Sequence, residues 1–330
     1  PLSKEDVRWW SVWLSCVIVE EQKLAEQTKL GRGEKAIRQG LVDWSVKLLE
    51  TAQALRPVER AQVGRALGLV GDPRPGVGVL PNGLPDIVWA TIPAGEYSYQ
   101  DGKATIKEPY QLSRYAVTYG QFQTFLEAED GFNNPEWWVG MSEESDVYGT
   151  TYRTREMREQ EFKYANHPRE RVSWYQSMAF CRWLSYKLTG EKPLDDPLTW
   201  AVRLPTEVEW EVAARGKTGW AYPYGDEFDA NKGNARETGI WMTSAVGIFP
   251  EGDARHWDVP LSDMSGNVWS WCLNKYYKPD ETGDLSSTSV LRVLRGGSFN
   301  DSTVNLRSAD RSRNNSSDDY GNTGFRCVRT

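Results

Sequence analysis

The sequence predicts a loop-rich α+β chain led by a helical N-terminal segment. Three observations predict it. Apolar residues recur at helical spacing through the first seventy positions. The remainder carries short strand-like stretches cut by turns. The chain also holds 16 Trp and 15 Tyr among 330 residues, large flat side chains suited to filling the gaps that irregular structure leaves.

The elements follow in order. Leu41, Val42, Val46, Leu48, Leu49 and Leu55 recur among charges at helical spacing. Pro57 opens a further helix, with Gly68 and Gly71 at its end. Residues 71–78 are too dense in Gly and Pro for a regular element, so a boundary is expected near residue 72. Residues 1–72 then form a helical segment or connector, and residues 73–330 a single domain. Residues 87–92, 96–99, 107–113 and 116–118 read as short strands. Residues 118–128 read as a helix with Phe122 and Phe125 on one face. Residues 173–188 read as a helix carrying Met178, Phe180, Cys181 and Leu184, with Ser173 as N-cap. Thr206 and Glu209 have capping-box spacing and open a third helix. From Gly216 onward few elements are predictable beyond strands at 288–294 and 324–329. Trp137, Trp138, Tyr148 and Tyr152 are expected to serve core and loop packing.

Bulk properties exclude several classes. The net charge is −7, against a general nucleic-acid binder, which shows a basic face. The apolar run at residues 9–19 is too short to span a bilayer and lacks the basic lead of a signal peptide. Cys16, Cys181, Cys272 and Cys327 include no Cys-x-x-Cys and read as buried free thiols of a reducing compartment, so a cytoplasmic location is expected. The chain starts at Pro1, which reads as a fragment or processed form of something longer. His167 and His256 carry no catalytic pattern, and Glu207, Glu209 and Glu211 are expected to anchor Arg or backbone groups.

The last stretch stands apart. A frame of Arg295-Gly-Gly-Ser, Leu306-Arg-Ser-Ala and Gly324-Phe-Arg encloses a window, Asn300 to Thr323, crowded with Asn, Ser and Asp. That window holds no Lys, Glu, Gln, Trp or Met, although the rest of the chain uses Glu, Lys and Trp freely. An ordinary solvated loop admits Lys and Glu, so the bias has another cause. The frame arginines Arg295, Arg307 and Arg326 are expected to pair with buried carboxylates or carbonyls, and Arg307→Ala to lower the melting temperature.

Seven blocks carry a resemblance: Tyr115-Ala-Val-Thr-Tyr-Gly-Gln-Phe; His167-Pro-Arg-Glu-Arg-Val-Ser-Trp; Arg203-Leu-Pro-Thr-Glu-Val-Glu-Trp; Tyr222-Pro-Tyr-Gly-Asp; Asp263-Met-Ser-Gly-Asn-Val-Trp-Ser-Trp; Arg295-Gly-Gly-Ser-Phe; and Gly324-Phe-Arg-Cys. From about residue 85 the chain resembles the formylglycine-generating-enzyme (sulfatase-modifying factor) domain, which implies a C-type-lectin-like fold. Enzymes of that family oxidise a substrate cysteine with copper held by two cysteines. Asp301 and Leu306 stand at those positions, and neither is the thiolate that Cu(I) prefers. The related iron-dependent synthases need three His, and this chain has two. Catalysis is therefore expected to be lost. The resemblance also marks calcium positions at Asn267 and at Asn234 with Glu237 and the Ile240 carbonyl. Ser270 replaces the carboxylate of the first, and no resident cofactor is expected.

The window is further similar to the variable region of diversity-generating retroelement target proteins, in which adenines of the coding copy are randomised. Asn, Ser, Asp, Thr, Tyr, Gly, Val, Ala and Arg are reachable from an AAC codon; Lys, Glu, Gln, Trp and Met are not. Two residues depart from that pattern: Phe299 where Trp is usual and Ser316 where Pro is usual. The resemblance assigns the varied positions to Asn300, Asp301, Ser302, Val304, Asn305, Asp310, Ser312, Arg313, Asn314, Asp318, Tyr320, Gly321 and Asn322. It implies a non-enzymatic binding protein, monomeric, whose ligand is a macromolecule, a protein rather than nucleic acid. The rivals are a formylglycine-generating-type copper oxidase and a regulatory module for a fixed partner. The Gly-Pro stretch after the helices also resembles linkers that follow signalling modules in large bacterial proteins, so an upstream module in a longer chain is part of the expectation.

Overall fold

The computed structural model describes residues 3–21, 32–51, 55–147, 149–193, 195–286 and 290–330, so Tyr148 lies outside the described residues. Three helices come first: α1 (Lys4–Glu21), α2 (Arg32–Thr51) and α3 (Pro57–Val70), the last with Pro57 in its first turn and Gly71 at its C-cap. Gly68 lies inside α3 rather than beyond it. A Cβ on Gly64 would meet the Ala245 Cβ at 2.8 Å, and one on Gly68 would meet Asn166 Oδ1 at 2.3 Å. These two glycines, one helical turn apart, let α3 sit hard against the later chain. The helical core of Trp9, Leu48, Leu49, Val63 and Leu67 is accordingly shared with Ala245, Ile248 and Phe249. No helix among the described residues is long and apolar enough to cross a membrane.

The rest is α+β. Strands β1 (Trp89–Ile92), β4 (Tyr110–Ser113), β12 (Val328–Arg329) and β7 (Val202–Arg203) make one sheet in the order β1-β4-β12-β7. Strands β10 (Arg311–Asn315), β9 (Leu291–Arg295), β8 (Trp269–Lys275) and β11 (Thr323–Gly324) make a second in the order β10-β9-β8-β11. Two hairpins, β2 (Gly95–Tyr99) with β3 (Gly102–Ile106) and β5 (Glu144–Val147) with β6 (Thr150–Arg153), flank them. Helices α4 (Tyr119–Glu127), α5 (Trp174–Thr189) and α6 (Glu207–Arg215) each start on a capping box, at Thr118, Ser173 and Thr206. Each hydroxyl accepts the N3 amide while the N3 Gln or Glu side chain accepts the cap amide, a device worth about 1 kcal/mol per helix.

Two sequence expectations give way. Residues 116–118 form no strand; Thr118 is the cap of α4. The strand expected at 324–329 is two strands. Thr323–Gly324 runs parallel to β8, and Val328–Arg329 pairs with β4 and β7, so the chain end staples the two sheets together. Between them Phe325, Arg326 and Cys327 are fully buried. Phe325 packs at 5.4 Å on Phe180, which stacks on Phe122 at 5.4 Å. The Arg326 guanidinium donates to the carbonyls of Ser113 (3.1 Å), Arg114 (3.3 Å), Ser262 (2.9 Å) and Asp263 (3.3 Å). Trp137 and Trp138 join this same core.

All four cysteines are free and buried, Cys181 facing Cys327 at 3.9 Å. Burial pushes the Cys16 thiol up to about 11 and those of Cys181 and Cys272 well above the ordinary thiol value. The thiolate is the nucleophile, so alkylation is expected to be negligible in the native protein and to reach all four sites after unfolding. Mass spectrometry after brief iodoacetamide treatment checks this; adducts on native Cys181 or Cys272 would contradict the packing.

Candidate binding site in the C-terminal window

The window begins with a sharp turn. Gly296 (φ +95°) and Gly297 (φ +74°) both occupy backbone conformations that favour glycine. A Cβ on Gly296 would meet the Trp210 ring at 2.8 Å, and one on Gly297 the Asn305 carbonyl at 2.8 Å. Below the turn, Arg295 is fully buried between Glu207 (3.2 Å) and Glu211, and donates to the Ser308 carbonyl at 2.7 Å. Arg311 shares Glu207, and Glu209 binds Arg203 at 2.7 Å. The three alternating glutamates thus anchor arginines, as their spacing suggested. Arg307 does not behave like Arg295 and Arg326. It is exposed while Leu306 and Ser308 on either side are buried, so it is no part of the frame's support.

The window's backbone is held by residues outside it. Arg171 N donates to the Tyr320 carbonyl (3.2 Å), Trp269 N to Asn322 (2.9 Å) and Trp174 N to Ser316 (3.1 Å). Phe299 packs edge-on against Phe162 at 5.8 Å. These contacts do not depend on the side chains at positions 320 and 322.

On this support Asn300, Ser312, Asn314, Tyr320, Gly321 and Asn322 line one concavity of about 560 Å³. Ser312 and Asn314 lie two apart on β10 and so share a sheet face. Leu294, Trp269 and Phe299 complete the floor, and Glu161 stands at the rim. Inside, Asn322 Nδ2 donates to Asn300 Oδ1 at 3.1 Å, and Ser298 Oγ to the same oxygen at 2.7 Å.

The other seven assigned positions do not line this concavity. The Asp301 carboxylate accepts from Ser298, and Ser302 is half-buried next to it in the chain. Val304 is 54% exposed. Asn305 donates to Asp310 at 3.3 Å. Two positions have other surroundings. Arg313, between Ser312 and Asn314 on the strand, lies over the Tyr276 ring (4.7 Å) and the Tyr277 ring (5.5 Å) on the opposite face. Asp318 is only 6% exposed; its carboxylate accepts from Asn315 N at 3.0 Å and closes a turn, and burial raises its pKa. Burial also pushes the neighbouring Asp319 up to about 6, against the pull of Arg158 at 3.1 Å.

The residues at the positions tied to metals make the following contacts. Leu306 is buried against Tyr222 and Ala235, and Asp301 faces Ser298, so neither offers copper a soft ligand. Asn234 donates to Met242 O (2.9 Å) and Ser244 Oγ (3.2 Å), while Asn267 Oδ1 accepts from Ser244 N (2.9 Å). Ile240 packs against the helical core. His167 is buried and bonded to Thr243 at 2.9 Å, with burial holding its pKa well below the ordinary value. His256 is half-buried beside Trp220 and Trp257 rather than loose on the surface.

Sequence reasoning missed Glu161, Trp269 and Leu294 as parts of the site. Only the aromatic run around Trp269 carried any signal.

The sulfatase-modifying factor enzyme 1-like domain matches residues 83–330. Among curated proteins, Serine/threonine-protein kinase Pkn1 of Chlamydia trachomatis is 33% identical over 235 residues, covering 66% of this chain and 33% of that protein. The chain thus spans about a third of the chlamydial kinases it matches. Formylglycine-generating enzyme of Streptomyces coelicolor is 28% identical over 298 residues, covering 72% and 87%. Inactive C-alpha-formylglycine-generating enzyme 2 of Bos taurus is 34% identical over 173 residues, covering 48% of each. In three dimensions Treponema denticola variable protein 1 superposes with a TM-score of 0.52 at 24% identity, covering 74% of this chain and 95% of that one, a likeness of fold.

Proposed function

This chain belongs to the sulfatase-modifying factor enzyme 1-like domain family, and from that premise we propose that it is a binding protein without catalytic activity, displaying a site diversified by a retroelement. One observation carries the proposal. The compositionally biased window supplies five side chains and one glycine to one concavity, on a backbone held by residues outside the window. Small polar side chains with one tyrosine on a rigid support are the chemistry of adaptable recognition. The same window places Asp301 and Leu306 where the oxidases of the family keep their copper-binding cysteines, which removes the soft ligands their reaction needs. An inactive relative and an active one both occur in the family, so loss of the reaction has precedent in it. The partial match to chlamydial kinases supports reading the domain as one that accompanies signalling modules in longer chains.

Sequencing sibling genes tests the proposal. Substitutions confined to the codons of the assigned positions, with a near-copy of the final coding stretch beside a reverse transcriptase, are the expected result. Substitutions spread evenly along the gene would favour a fixed partner instead. Turnover of a sulfatase-type cysteine peptide with copper supplied would overturn the non-enzymatic reading.

A further inference from the structure

Resting on the reading of this concavity as the binding site, we propose that it accepts a cationic side chain, lysine or arginine, presented by a protein partner, with Glu161 as a constant anchor. Four lining residues, Glu161, Trp269, Leu294 and Phe299, lie outside the assigned variable positions. On that reading diversification leaves their chemistry unchanged. Three of them are apolar and floor the concavity; the fourth is a carboxylate at its rim. Tyrosine apart, Glu161 is the one titratable group lining it among the described residues. A lysine or arginine side chain matches this division, with its methylene stem on the apolar floor and its charged head at the rim.

Glu161 is built in rather than incidental. Its backbone amide donates to the buried carboxylate of Glu170, and the Phe162 amide donates to the same oxygen at 3.2 Å. Phe162 in turn packs on Phe299, so rim and floor are one unit. Arg171 Nη2 donates to Glu161 Oε2 at 2.6 Å, but this guanidinium is divided between two carboxylates, standing 3.7 Å from Glu170 Oε2. That Glu170 oxygen is buried without a hydrogen-bond partner among the described residues. Glu161 itself keeps 47% of its side chain exposed, and the bond from Arg171 goes to its Oε2.

Position 321 controls access to it. A Cβ there would lie 3.1 Å from Glu161 Oε2 and 3.7 Å from Arg171 Nε. Glycine at this assigned variable position adds no cover to the carboxylate beyond Arg171, and a larger residue would screen it. The constant anchor and the variable screen together give siblings one ligand class with graded strength.

The test uses the full chain and four probes: the N-acetyl amides of arginine, lysine, norleucine and glutamate. Backbone amide shifts of Gly321 and Asn322 are followed by NMR. The arginine and lysine probes are expected to shift these amides saturably, and Glu161→Gln to weaken them about tenfold or more, the worth of one charge-assisted hydrogen bond. Gly321→Ala is expected to weaken them as well, and added salt to do the same. Equal binding of norleucine, insensitivity to Glu161→Gln, or no response to the cationic probes each overturns the cationic anchor. A response to norleucine or glutamate alone would do so while leaving the concavity as a binding site; sibling sequences judge that reading separately.

Discussion

Arg295→Ala is expected to destabilise the protein by about 3–5 kcal/mol, the usual cost of removing one partner from a buried ion cluster. Glu207 and Glu211 are one turn apart on α6 and both are fully buried. Arg295 stands between them at the end of β9, with its guanidinium 5.6 Å from the centre of the Trp210 ring. Truncation leaves Arg311 as the cation on Glu207 and Arg215 as the cation on Glu211, and takes a donor from the Ser308 carbonyl, while Gln100 still donates to Glu211 and to the Ala309 carbonyl. Arg295→Lys should rescue little, because one ammonium cannot span acceptors that a planar fork serves together. Arg307→Ala is the matched control. That side chain is exposed, and surface changes of this kind stay within about 0.5 kcal/mol. Urea unfolding of the two variants gives the comparison directly. A loss below about 1 kcal/mol for Arg295→Ala would mean that the cluster contributes no more than a surface pair.

The contrast between these two arginines shows what the sequence could and could not convey. Both sit in the frame, and nothing local separates them. Arg295 ends a strand and points at α6, whereas Arg307 follows a short helical turn that directs Leu306 inward and Arg307 outward. Where a signal is local, it was legible: the caps at Ser173 and Thr206 and the helices they open lie where their spacing puts them. Strand β8 was not legible, because it is buried on both faces and so lacks alternation, and because Ser270 and Asn274 interrupt it with polar residues, Asn274 bonding inside to the Glu207 amide and the Pro279 carbonyl. The split of the chain end into two strands is a tertiary fact: Arg326 lies between them because carbonyls from residues 113, 114, 262 and 263 converge on it. The window's composition announced an unusual surface, but Glu161, which completes its rim, lies far away in sequence with no motif around it.

Randomising Asn300, Ser312, Asn314, Tyr320 and Asn322 together is expected to leave most library members folded, while the same treatment of Ser298, Ser316 and Asp318 leaves few. The first set meets solvent in the concavity, and the structure beneath it is secured through main-chain bonds from Arg171 and Trp269. The second set works through side chains. Ser316 Oγ donates to the Tyr175 hydroxyl at 3.1 Å with no exposure, Ser298 serves Asn300 and Asp301, and Asp318 closes its turn. Loss of each removes the side-chain hydrogen bonds it makes, at about 0.5–1.5 kcal/mol apiece. Protease resistance of the two displayed libraries reads the difference, and similar folded fractions would remove the distinction between presenting residues and supporting ones. Binders selected from the first library should then lose at least about 2 kcal/mol, near thirtyfold, on truncation of an aromatic residue at position 320, since interface energy concentrates in buried aromatic anchors. Tyr320 is 53% exposed in the free protein, so about half of its side chain remains for a partner to bury.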